Sequence, residues 1–135
     1  MELIEELTLK STYEELEKVE GFLENLQQEL GYDNEFNARL MLTVSESATN
    51  GVVHGNKLDE TKTVTLKAYL KASKLIIETT DEGAGFNPDE VPDPLTEENL
   101  LNPDGRGVFL MDEYADEVNY SEGGSKLTLV FELPE

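Results

Sequence analysis

Ser45-Glu46-Ser47-Ala48-Thr49-Asn50-Gly51-Val52-Val53-His54-Gly55-Asn56 is the stretch on which the reading of this chain turns. It closes an apolar row, Phe36, Leu40, Val44 and Ala48, whose i, i+4 spacing predicts an amphipathic helix from Asp33 or Asn34 to about Gly55. Polar residues interrupt the second half of that row. Glu46 and Asn50 are four apart, so they share a face and can converge on one point. A carboxylate can act as a general base, and an amide oxygen is a hard, neutral ligand suited to Mg²⁺. Taken alone, such a pair fits a solvent-facing polar stripe equally well. His54, one turn further on, reads as a structural residue capping carbonyls near the helix end.

Upstream, Leu16, Val19, Phe22, Leu23, Leu26 and Leu30 recur at helical spacing up to Gly31. They predict a first helix from Ser11, with Ser11 or Thr12 as cap and Glu14 and Glu15 in the first turn. Residues 2–9 alternate loosely and end in Leu7-Thr8-Leu9, which suits an opening strand. Downstream, Thr63–Leu70 and Lys74–Thr80 are rich in Val, Ile and Thr and read as a hairpin around Lys71-Ala72-Ser73. From Asp81 to Gly107 every regular pattern breaks, and structureless stretches of that length are usually lids or binding loops. A short helix over Val108–Tyr114 and two strands, Glu117–Tyr120 and Lys126–Leu133, complete the chain around the turn Ser121-Glu122-Gly123-Gly124. This order predicts an α+β two-layer sandwich, a mostly antiparallel mixed sheet covered on one face by helices.

At 135 residues, the expectation is one domain spanning residues 1–135. No stretch approaches the roughly 20 apolar residues of a membrane helix, and the N-terminus lacks the order of a secretory signal. A soluble, cytoplasmic protein without a membrane partner is expected. The chain has no cysteine and one histidine, which excludes thiolate chemistry and any multi-histidine metal site within one chain, so a metal must be held by oxygen. A net charge of −20, spread along the sequence, argues against nucleic acid as a partner. It serves solubility, or it steers a basic protein partner.

Two glycine motifs carry further chemistry. Asp81-Glu82-Gly83-Ala84-Gly85-Phe86 follows the apolar run Leu75–Ile77 directly. Alone it fits a tight acidic turn. Beside a cavity, an ionised Asp at a strand end accepts a hydrogen bond from an amino group such as the exocyclic amine of adenine. Gly105-Arg106-Gly107-Val108 leads into the short helix, where backbone N–H groups bind phosphate and Arg106 adds a cation. Alone this too fits a loop hinge with a surface Arg. No Walker A pattern is present.

In order, SESATNGVVHGN, TTDEGAGF, DGRGVFLM and GGSKLTL resemble the N, G1, G2 and final boxes of the GHKL (Bergerat-type) ATPase superfamily. The short lid and the Glu-x-x-x-Asn…His arrangement are similar to its anti-sigma-factor serine/threonine protein kinases. The resemblance implies a histidine-kinase-like ATPase fold and ATP with Mg²⁺ as cofactors. It makes Glu46 the catalytic base and Asn50 the Mg²⁺ ligand. Asp81 becomes the adenine-binding aspartate, with Gly83, Gly85 and Phe86 shaping the pocket. Gly105, Arg106, Gly107 and Val108 close over the phosphates. Ser125 stands where relatives place a Thr beside the adenine, keeping the hydroxyl and losing a methyl. The ATP lid falls at about residues 87–104; it is acidic and proline-rich, so Arg106 carries much of the cationic role toward the γ-phosphate unless a partner contributes a cation.

The function implied is phosphorylation of a serine on a small anti-sigma-factor antagonist, in a pathway where that modification switches partners and a sigma factor is a further partner. A non-catalytic, nucleotide-gated binding module that sequesters a partner is the alternative; it would keep Asp81 and the glycines and would not need Glu46. The catalytic half of a histidine kinase fits less well, because no phosphoacceptor helix pair accompanies the motifs. Resemblance also implies a homodimer, with the first helix, Ser11–Leu30, helping to form it.

Overall fold

The computed structural model of the chain describes residues 1–83, 114–121 and 125–134. Strand β1 (Glu2–Lys10) is followed by a 3-10 turn at Glu14–Glu17, then by helices α1 (Lys18–Leu30) and α2 (Asn34–Thr49). Strands β2 (Thr63–Lys71), β3 (Lys74–Thr80), β4 (Glu117–Ser121) and β5 (Lys126–Glu132) complete the order. They form a 5-stranded sheet, β1-β2-β3-β5-β4, in which all four pairings are antiparallel. This is the two-layer α+β architecture expected from the sequence. The predicted helix over Val108–Tyr114 lies outside the described residues except for Tyr114.

Alternation along the strands decides which face is covered. Val64, Leu66 and Ala68 of β2, Leu75 and Ile77 of β3, and Leu127, Leu129 and Phe131 of β5 are buried toward the helices. Against them α1 lays Val19, Phe22, Leu23 and Leu26, and α2 lays Phe36, Leu40, Val44 and Ala48. Removing any one of the fully buried leucines here costs about 2–5 kcal/mol, because the cavity left behind adds to the lost transfer energy. Phe36 meets Phe131 edge-to-face at 6.2 Å. Arg39 lies over both rings, 5.6 and 5.9 Å from their centroids, and its Nε donates to the Tyr114 carbonyl at 3.2 Å.

The helix ends follow their capping residues. Gly31 takes φ +75°, a left-handed stop that suits glycine, and its N–H donates to the Gln27 carbonyl at 2.8 Å. Asp33 caps α2 by accepting from the Phe36 N–H at 2.9 Å. The first helix departs from expectation at its start. Thr12 Oγ1 accepts from the Glu15 N–H at 3.3 Å, but it opens the 3-10 turn, and α-helical bonding begins only at Lys18. Ser11 caps nothing: it is buried, and its hydroxyl donates to the Lys62 carbonyl at 2.7 Å.

The second departure lies in the stretch quoted first. α-Helical bonding ends at Thr49, and Asn50–Gly55 form a wider π turn, with the Asn56 N–H reaching the Gly51 carbonyl at 2.8 Å. Periodicity alone cannot separate the two, since the chain keeps winding in the same sense. Such one-turn π segments cluster at functional sites. Beyond it Lys57 and Leu58 take φ +54° and +59°, two consecutive left-handed residues without a glycine.

Candidate functional site

The end of α2, the π turn and the exits of β3 and β5 meet on the helix side of the sheet. Asp81 leaves β3 with its N–H donating to the Ser125 carbonyl at 2.9 Å, one step past the Thr80–Lys126 pair of the ladder. The β3–β5 pairing thus brings together two residues that the sequence separates by 44 positions. Asn50 enters from the first residue of the π turn, its N–H donating to the Glu46 and Ser47 carbonyls. Ser47, Asn50, Gly51, Thr79, Asp81, Ser125 and Leu127 line one small cavity of about 10 Å³, enough for a single water.

Burial governs the chemistry of this cavity. Asp81 is 9% exposed and Asn50 5%. Removal from water pushes the Asp81 carboxyl up from its ordinary value, while the Gly83 N–H, donating to Oδ1 at 2.9 Å, and the Lys62 charge pull it down. A buried carboxylate bonded through one oxygen keeps acceptor capacity on the other. Asn50 Nδ2 is buried and has no hydrogen-bond partner among the described residues. Buried amide groups are almost always paired, so an orphan on a cavity wall marks a place for a polar ligand. The cavity wall thus offers a polar ligand one free donor, Asn50 Nδ2, and one acceptor, the Asp81 carboxylate.

Glycines make the approach of these elements possible. A Cβ at Gly83 would fall 1.7 Å from the Gly55 carbonyl oxygen, and one at Gly51 would fall 3.2 Å from both Val64 methyls. Gly83 thus lets the exit of β3 pack directly on the Gly55 backbone. Gly51, Gly55, Ser47 and Thr79 were not anticipated. Ser47 Oγ and Thr79 Oγ1 are 2.9 Å apart and buried, bonding α2 to β3. The two glycines left a signal, because an interior helical glycine costs about 1 kcal/mol and needs a packing reason.

Glu46 is half-buried on α2, one turn before Asn50, and His54 is half-buried in the π turn. Gly85, Phe86, Gly105, Arg106, Gly107 and Val108, and the lid at about 87–104, lie outside the described residues. No cluster of three or more His, Cys, Asp or Glu side chains suited to a metal occurs among the described residues. No described helix is long and apolar enough to cross a membrane.

The model of the histidine kinase-like ATPase domain matches residues 9–131, which include every described residue of this cavity. The chain belongs to the histidine kinase-like ATPase domain family. Within the family it is similar to the anti-sigma F factor of Clostridium perfringens, 35% identical over 82 residues, or 58% of this chain and 59% of the relative. It is also similar to the anti-sigma F factor of Thermoanaerobacter pseudethanolicus, 33% identical over 97 residues, 69% of this chain and 66% of the relative. The matched region thus spans about three fifths of the first of these relatives. The crystal structure of the RsbU and RsbW domains of a Mycobacterium tuberculosis protein shares the fold, with a TM-score of 0.70 at 19% identity over 98% of this chain and 32% of that one. These likenesses agree with the anti-sigma-factor kinase resemblance of the four sequence motifs.

Proposed function

We propose that this histidine kinase-like ATPase domain binds Mg-ATP against the wall where Asn50 and Asp81 converge, and phosphorylates a serine of a small anti-sigma-factor antagonist. The observation that carries the reading is the convergence of Asn50, Asp81 and Ser125 on one cavity, in a chain similar to anti-sigma F factors. Asp81 receives the adenine amine, and the Ser125 hydroxyl lies beside the base. Asn50 holds the cation, which when bound neutralises charge on the phosphates. Glu46 takes the proton of the attacking serine hydroxyl. Gly83, Gly85 and Phe86 shape the base pocket, and Gly105, Arg106, Gly107 and Val108, with the lid at 87–104, enclose the phosphates. Catalysis then rests on positioning and charge neutralisation, as in other phosphoryl transfers. A sigma factor is the second partner.

Charge distribution supports a homodimer through the sheet. α1 spends its apolar stripe on the chain's own core and turns Glu20, Glu24 and Glu29 outward, so pairing through it would set acid against acid. On the open sheet face Lys67 and Lys126 stand among Glu6 and Glu78, and Lys74 pairs with Glu132 at 3.7 Å. Leu3, Tyr69 and Ile76 form an apolar row across them by strand register. In a chain of net charge −20, a balanced face is where two copies meet with least repulsion.

Calorimetry with magnesium and ATP, followed by incubation with labelled ATP and candidate antagonists, tests the reading. Binding and transfer to one serine are expected. Binding without transfer to any antagonist removes the kinase assignment, and no binding removes the site.

A further inference from the structure

Asn56 follows the π turn and is 1% exposed. Its side chain is saturated by three segments that are far apart in sequence. Nδ2 donates to Ser11 Oγ at 2.9 Å and to the Thr63 carbonyl at 3.0 Å, while Oδ1 accepts from the Glu82 N–H at 2.8 Å. Ser11 relays the contact to the Lys62 carbonyl. The Glu82 carboxylate in turn accepts from the N–H and hydroxyl of Thr63. One amide therefore ties the end of β1 and the start of β2 to the residue after Asp81.

Asp81 sits between two backbone tethers. Its own N–H is held by the Ser125 carbonyl, and the next N–H is held by Asn56. With both flanking peptides held, the Cα–Cβ direction of Asp81 is set, and the Gly83 N–H and the bare Cα of Gly55 then place its carboxylate. Only a side chain with an acceptor and two donors in one plane satisfies this place; an aspartate supplies the acceptor alone, and an alanine supplies neither.

We propose that Asn56 is a positioning residue for Asp81: its Oδ1 holds the Glu82 peptide so that the carboxylate presents an acceptor to the amine at position 6 of adenine, where guanine carries a carbonyl oxygen. The base preference of the site, adenine over guanine, then depends on Oδ1 of Asn56 and not on its Nδ2. This inference rests on the nucleotide reading of the cavity, while the tether itself does not.

Three variants separate positioning from stability. Asn56→Ala loses both arms, Asn56→Asp keeps the acceptor for Glu82, and Ser11→Ala removes only a contact of Nδ2. All three are expected to melt at lower temperature. In calorimetry well below those temperatures, Asn56→Ala should lose the ATP-over-GTP preference by roughly 10-fold, whereas Asn56→Asp and Ser11→Ala should keep it. Hydrogen exchange without nucleotide should show the Glu82 amide opening faster in Asn56→Ala than in the other two. A preference that tracks melting temperature across all three variants overturns the proposal. Should the wild-type chain bind neither nucleotide, the functional reading fails, and equal Glu82 exchange in the three variants would remove the tether too.

Discussion

The Asp81 carboxylate occupies the space where a side chain on Gly55 would begin: a Cβ there would stand 2.4 Å from Oδ2. Burial of the acid and the absence of a side chain on the π turn are therefore one feature. It follows that Gly55→Ala must push Asp81 aside, and Gly83→Ala, with its Cβ 1.7 Å from the Gly55 carbonyl, must drive the backbone at Gly83 away from that at Gly55. Overpacking of this kind costs about 1–3 kcal/mol and sometimes more. At Gly51 the obstacle is two Val64 methyls at 3.2 Å, and about 1 kcal/mol of helix propensity offsets it. Chemical denaturation should rank the losses Gly83→Ala, Gly55→Ala, Gly51→Ala, from largest to smallest. A Gly55→Ala protein as stable as wild type would contradict the packing described.

Asp81 should be a liability to the nucleotide-free fold at neutral pH. Burial raises its carboxyl above the ordinary value of 3.8, so the unfolded chain ionises it first as pH rises. Stability is thus lost from the unfolded pKa upward through the folded one, and the loss is complete above both. Asp81→Asn keeps Oδ1 for the Gly83 N–H and removes the charge. It should raise the melting temperature at pH 7, with the gain disappearing near pH 3, below both pKa values. The same variant should bind ATP at least about 10-fold more weakly. Melting curves at the two pH values decide the first point; a constant difference between them would show that ionisation is not its cause.

Glu46 is assigned a role toward the acceptor hydroxyl, not toward the nucleotide. Glu46→Gln should leave the ATP dissociation constant within about threefold and slow transfer by roughly 10²–10⁴, the usual contribution of a positioned base. Unchanged transfer would take the base assignment away. If neither protein transfers phosphate yet both hold a partner in an ATP-dependent way, the non-catalytic binding module becomes the better description.

Pairing through the sheet makes its own prediction. Ile76→Glu places an acid in the apolar row beside Tyr69, while Glu24→Lys alters the outer side of α1. Sedimentation equilibrium should find the first variant monomeric and the second dimeric, with ATP affinity unchanged in both. A monomeric wild type, or a dimer untouched by Ile76→Glu, would refute the interface.

Much of this was legible because the relevant signals are local. The hairpin of β2 and β3 follows from alternating β-branched residues, and Gly31 and Asp33 mark one helix end and the next start. Asn50 could be picked out by its helical spacing from Glu46, Asp81 as an acid at a strand end, and Ser125 through the motif resemblance alone. What stayed hidden depends on partners far along the chain. Ser11 looked like a cap because a serine before a helical pattern usually is one, and its actual partners, Lys62 and Asn56, cannot be read from its neighbours. Asn56 drew no separate reading, because its partners Ser11, Thr63 and Glu82 belong to other segments. The π turn escaped because it keeps apolar spacing close to that of an α-helix over so few residues.

One consequence of α2 concerns the stretch between Gly83 and Tyr114. Arg39, near its start, grips the Tyr114 carbonyl, and Gly55 and Asn56, just past its end, clasp Gly83 and Glu82. Those grips are 16 residues apart on α2 and its π extension, roughly 24 Å along the axis. A single rod thus supplies the departure and arrival posts for everything between Gly83 and Tyr114. Because both posts and the strand register are set by described residues, the two ends of that stretch keep their separation whatever sequence joins them.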